Sequence, residues 1–183
     1  MNFFVIVISI PIVTIGPVLA ALFYTMMKFS ENEDGYLVKT FWNELKHLFF
    51  VRVAVSLIYT AIIAATVYVI QFWYSFQNIF GMMLAIIFFL FLCMTITAML
   101  ISLARTQYFG TIKSYIRDGY LFIFISLKDA VAILAIPVIL IGFSIFQETV
   151  LYFMGIIGIS LMGYALAPLF HKMFSKLEKK HEG

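Results

Sequence analysis

The sequence predicts an all-α, polytopic membrane protein. It is expected to be a bundle of five transmembrane helices with the N-terminus outside and the C-terminus in the cytoplasm. Three observations predict this. First, 64% of the 183 residues are hydrophobic and 11% charged, with mean hydropathy +1.07, whereas a soluble domain is roughly half apolar and about a quarter charged. So short a chain cannot hide that much apolar surface from water. Second, the chain divides into five apolar runs of a length that suits helical spans. Third, the Lys and Arg residues fall on one side once five spans are drawn.

The runs cover residues 3–27, 51–70, 79–104, 130–146 and 149–170. A helix needs about 20 residues to cross a hydrocarbon core of about 30 Å. Four runs meet that directly, and "GYLFIFIS" before the fourth can extend it. Transmembrane strands would be about 10 residues long with alternating polarity, a pattern absent here. The first run lacks the charged flank of a signal peptide and is too long for one, so it is expected to be retained. Pro11 and Pro17 interrupt it. Each proline removes a backbone donor and frees a carbonyl, which lipid cannot satisfy. Thr14 is placed to cap the Ile10 carbonyl, and Gly16 relieves crowding before Pro17. A kinked or unwound helix at residues 10–17 is expected, packed against protein. It either shapes the bundle or lines a ligand site, as in discontinuous transporter helices.

The connections orient the chain. Lys28, Lys39, Lys46 and Arg52 lie in or beside the first, and Arg105, Lys113, Arg117 and Lys128 in or beside the third. The tail, residues 171–183, holds Lys172, Lys176, Lys179 and Lys180. The second and fourth connections hold none. The positive-inside rule then puts all twelve in the cytoplasm. The net charge of +3 therefore reports orientation, and no nucleic-acid partner is expected. Trp73, Tyr74 and Phe76 suit an outer aromatic belt. The one cysteine, Cys93, cannot form an internal disulfide. Residues 1–183 read as a single membrane domain.

Two cytoplasmic segments are candidates for contacts. Residues 36–50 read as an amphipathic helix, with Leu37, Phe41, Leu45 and Leu48 on one face and Lys39, Asn43 and Lys46 on the other. It would lie in the membrane interface or dock on a partner, with Lys39, Phe41, Trp42 and Leu45 as contact residues. In the second segment, Arg105, Lys113 and Arg117 read as inner-leaflet anchors for anionic lipid or as a partner surface.

"IPIVTIGPVLAALFYTMMK" followed by "FWNELKHLF" resembles the start of the YesL family of small bacterial membrane proteins. Pro11, Thr14, Gly16, Pro17, Ala21, Leu22, Tyr24 and Trp42 carry the resemblance. Beyond the first 50 residues the likeness is one of layout, and "HLFFVRV" at 47–53 departs from the family's polar run. The resemblance implies a protein of the bacterial cytoplasmic membrane, in a family with no established enzymatic activity. It further implies an accessory subunit or regulator of a carbohydrate (oligosaccharide) ABC importer that binds the permease subunits.

Enzyme motifs are absent. There is no phosphate-binding G-x-x-x-x-G-K-[ST] and no H-E-x-x-H. His47, His171 and His181 are scattered and give no metal spacing. No catalytic residue, metal or cofactor is expected. No ionisable residue stands near the middle of a run, which disfavours a proton-coupled carrier. Two alternatives remain. A small carrier or solute-binding component predicts a polar cavity lined by Thr14, Thr95 and Thr97. A scaffold or signalling protein would act through the 36–50 helix. Small-xxx-small pairs such as Ala61 and Ala65 permit close helix approach, within the bundle or in a homo-oligomer.

Overall fold

A computed structural model describes residues 15–30, 37–105, 112–146 and 159–181, and the regular elements among them are all helical. They are α1 (Ile15–Ser30), α2 (Leu37–Lys46), α3 (Phe49–Tyr74), α4 (Ile79–Ala104), α5 (Ile112–Ile125), α6 (Leu127–Phe146) and α7 (Ile159–His181).

The α3–α4 hairpin is the frame. Each helix has 26 residues, about 39 Å at 1.5 Å per residue. Both are long and apolar enough to cross a membrane. The run read at 79–104 coincides with α4, while α3 extends past the expected 51–70 at both ends. The turn between them is short because Asn78 caps α4, its side chain accepting from Gly81 N–H at 2.6 Å. Phe72, Trp73, Phe76 and Phe80 cluster at this tip, with ring centroids 5.1–6.1 Å apart.

The fourth expected span is not continuous with its extension. α5 and α6 meet at Ser126 with a bend of 106°, and together they make a third candidate span only if the bent pair counts as one. The physical reason is visible locally. Ser126, Leu127, Lys128 and Asp129 form the S-x-x-D pattern of a helix start, and Asp129 sits in the first turn of α6. Of the first and fifth expected spans, the described parts are α1 and the α7 residues from Ile159 onward.

α1 is the hub. It packs against α7, α2, α3 and α4, and Val18, Ala20, Ala21, Leu22, Phe23, Met26 and Met27 are all buried. A helix apolar on every side belongs inside a bundle. Gly16 lies where α1 meets α3. A Cβ there would collide with the Ser56 side chain and stand 3.3 Å from the Arg52 carbonyl. Pro17, also buried, falls in the first turn of α1, where a missing N–H is tolerated. Pro11 and Thr14 lie outside the described residues.

The helix expected at 36–50 is shorter. α2 ends at Lys46, and His47 and Leu48 form a turn in which Leu48 is left-handed, at φ 52°. Phe49 and Phe50 already belong to α3. α2 docks on α1 of the same chain, burying Phe41 and Leu45. Its amphipathic face was legible; its occupant is this protein's own core. The basic tail is helical as far as His181.

Candidate functional site at the polar end of the bundle

Buried polar side chains Arg52, Ser56, Thr95, Thr97 and Ser102 lie where the start of α3, the end of α4 and α5 meet. The His47–Leu48 turn reverses the chain, so Arg52 on α3 returns to Glu44 on α2. One Arg52 nitrogen donates to the Glu44 carbonyl at 2.5 Å, and another pairs with the Glu44 carboxylate. Arg52 is 2% exposed. The sequence placed it in or beside the first connection, among the cytoplasmic-side cations; the structure buries it, paired with Glu44. His47 Nδ1 is 3.8 Å from the same carboxylate. Tyr24, Asn43, Glu44 and His47 line an open groove of about 500 Å³.

Behind the ion pair is a small cavity of about 10 Å³, whose lining includes Arg52, Val55, Ser102, Leu103 and Tyr115. Ser102 donates to the Tyr115 carbonyl at 3.0 Å. With its one proton used, it accepts from Tyr59 O–H at 2.9 Å. Deeper in, Tyr120 O–H donates to Thr95 at 3.2 Å, and the Tyr59 and Tyr120 rings lie 6.2 Å apart. Gly119 makes this convergence feasible. A Cβ there would clash with Ser102 and stand 2.8 Å from both the Ala98 carbonyl and the Tyr59 hydroxyl. α5 therefore runs back alongside α4, with Tyr115 near Ser102 and Tyr120 near Thr95.

Further ion pairs tie neighbouring elements. Arg105 at the end of α4 pairs with Asp118 on α5, which Arg117 also approaches at 3.3 Å. Arg105 lies over the Phe122 ring, 5.2 Å from its centroid. Asp129 on α6 is 3.6 Å from Lys172 on α7. Asp118 adjoins Arg117 in the chain, and the S-x-x-D start marks Asp129. Nothing in the spacing links Glu44 to Arg52.

The contact candidates separate into two groups. Phe41 and Leu45 face the core, while Lys39 and Trp42 face outward. Lys113 and Arg117 are exposed one turn apart on α5, and Arg105 is partly buried. Of the threonines expected to line a carrier cavity, Thr95 and Thr97 are among the described residues. Thr95 and Thr97 donate to the Phe91 and Cys93 carbonyls at 2.9 Å, the intrahelical bond that lets a hydroxyl sit in an apolar helix. Neither the groove nor the small cavity is lined by them.

Residues 1–69, less than half of the chain, match a family model described as "Protein of unknown function, DUF624", a family that includes YesL-like proteins. The match spans α1, α2 and most of α3, and it contains Glu44, Arg52 and Tyr59. No curated protein and no solved structure matches the chain.

Proposed function

We propose that this protein is an accessory integral membrane subunit or regulator of a bacterial carbohydrate ABC importer, acting by binding the permease subunits. It sits in the cytoplasmic membrane with five spans, N-terminus outside and C-terminus inside. The observation that carries the proposal is the coincidence of two signals in one stretch. The Pro-x-x-Thr-x-Gly-Pro resemblance, with its implied association with importers, falls inside the 69 residues that match the family model.

The architecture is compatible with a binding role. The described core contains no path lined by free hydroxyls, since its Ser, Thr and Tyr groups bond to one another or to nearby carbonyls. Two surfaces face outward instead. One is the cytoplasmic face of α2, with Lys39 and Trp42. The other is the apolar flank of α3 and α4, suited to acyl chains or to another membrane helix. Lys39, Lys46, Lys113 and Arg117 sit on the end of the bundle that positive-inside topology assigns to the cytoplasm, where anionic headgroups attract them.

The test is affinity purification of the tagged protein from its native membrane in mild detergent. Permease subunits are expected in fixed stoichiometry, and Lys39→Glu with Trp42→Ala should release them while leaving the protein folded. Recovery of the protein alone, or only as a homo-oligomer, would refute the subunit reading.

A further inference from the structure

We infer that a single water molecule is held behind the Glu44–Arg52 pair, in the small cavity between α3, α4 and α5. There it bonds Arg52 Nε and joins the ion pair to the Ser102–Tyr59 hydroxyl chain. The starting point is an orphaned donor. Arg52 Nε is buried and donates to no atom among the described residues, although both other guanidinium nitrogens bond to Glu44. Arg52 also lines the cavity. Buried polar groups are nearly always partnered, by protein or by ordered water.

Size and charge select the occupant. A cavity of about 10 Å³ has room for about one water. The other lining residues, Leu48, Val51, Val55, Ser102, Leu103 and Tyr115, carry no charge. Glu44 already neutralises Arg52, so an anion would enter a site with no net positive charge. A neutral acceptor fits. The acceptor on the far wall, Ser102 Oγ, suits water as well. Ser102 Oγ donates to the Tyr115 carbonyl, accepts from Tyr59 and keeps a second lone pair, whereas the Tyr115 carbonyl is filled by Ser102 and by the helical bond from Gly119 N–H. One water would accept from Nε and donate to Ser102 Oγ, two bonds, within the range of buried waters.

The consequence is a continuous polar connection. It runs from Glu44 on α2, through Arg52 and the water, to Ser102 on α4, Tyr59 on α3 and the α5 backbone. The position of α2 is thereby coupled to the packing of the three-helix core. The inference rests on the bundle alone and stands or falls independently of the importer reading.

The experiment is water-edited solid-state NMR on the full-length protein in lipid bilayers, with ¹⁵N-labelled arginine. The chain has three arginines, Arg52, Arg105 and Arg117, and Arg52→Lys assigns the Nε signal. Magnetisation is expected to pass from water to Arg52 Nε–H despite its burial, and to be lost in Val55→Leu, which fills the cavity. Absent transfer in the wild type, or transfer unchanged in a folded Val55→Leu, overturns the site. A Nε shift that follows exchange of chloride for nitrate overturns it in favour of an anion. Should Val55→Leu fail to fold, a double-mutant cycle decides. Glu44→Gln and Ser102→Ala make no direct contact with each other in the proposed chain, so non-additive melting shifts support the bridge and additive shifts refute it.

Discussion

The two ends of the α3–α4 hairpin are built from the same kind of sequence and live in different surroundings. At the near end, Arg52, Val55, Ser56 and Tyr59 on α3 and Thr95, Thr97, Ala98 and Leu100–Ala104 on α4 are buried under α1, α2 and α5. At the far end, α4 buries only Gly81 and Ala85 among residues 79–94, and Ile86, Ile87 and Leu90 are about 60% exposed. Mean hydropathy does not separate the ends, because both helices are apolar along their length. The polar groups do. A near-end side chain faces protein, which can supply a partner for a hydroxyl or a guanidinium. Most far-end side chains face what a membrane-spanning helix faces, and the one buried polar group there on α3, Thr66, is satisfied within its own helix by the Ile62 carbonyl at 2.8 Å. The sharpest test of this contrast is to remove partners at one end and contacts at the other.

The largest effect is expected from Glu44→Ala. It leaves Arg52 charged and buried, and unpairing a buried ion pair costs about 3–5 kcal/mol. The melting temperature in detergent should fall accordingly. Replacing both partners with apolar residues, Glu44→Leu with Arg52→Met, should restore most of the loss. If the double variant melts as low as the single one, the pair organises the near end by more than charge balance. Gly119→Ala comes next, at about 1–3 kcal/mol. The carbonyl of Ala98 stands 2.8 Å from the new Cβ, and backbone cannot step aside as a side chain can. Unchanged stability would mean that α5 does not lie against α4 as described.

These two substitutions also mark how far the sequence could be read. The bounds of α4 were legible because the apolar run is unbroken and has Asn78 and Arg105 at its edges. The inward face of α2 was legible from the spacing of Leu37, Phe41 and Leu45. The end of α2 was not, since no residue type announces a left-handed Leu48. The break at Ser126 had a signal in Ser126 and Asp129, but it was masked by the apolar run on either side. The site itself was the least legible part. Glu44 and Arg52 are eight residues apart across a turn, and Ser102, Tyr59 and Gly119 come from three helices. Their convergence depends on tertiary packing, and no local pattern encodes it. Of the Pro-x-x-Thr-x-Gly-Pro motif, Gly16 has a visible reason in its contact with Ser56, and Pro11 and Thr14 fall outside the described residues.

A smaller effect is expected from Tyr59→Phe. It removes one hydroxyl and leaves Ser102 still bonded to the Tyr115 carbonyl, so about 1 kcal/mol should be lost. The smallest effect belongs to the far end. Leu90→Ala removes a large side chain from a position 63% exposed within the bundle. A buried leucine would cost about 2–5 kcal/mol when truncated, because it leaves a cavity. Here there is no closed packing to leave a hole in, and fluid acyl chains refill the space, so the change should stay within about 0.5 kcal/mol. Melting of the purified protein in detergent measures this directly. Repeating the measurement in native membranes then probes the same residue in its working surroundings. A loss confined to the native membrane would show that a protein surface covers this flank there, and would locate where the proposed permease partner or a second copy of the chain seats. A near-zero value in both settings would assign the flank to lipid and leave the outward face of α2 as the contact to test.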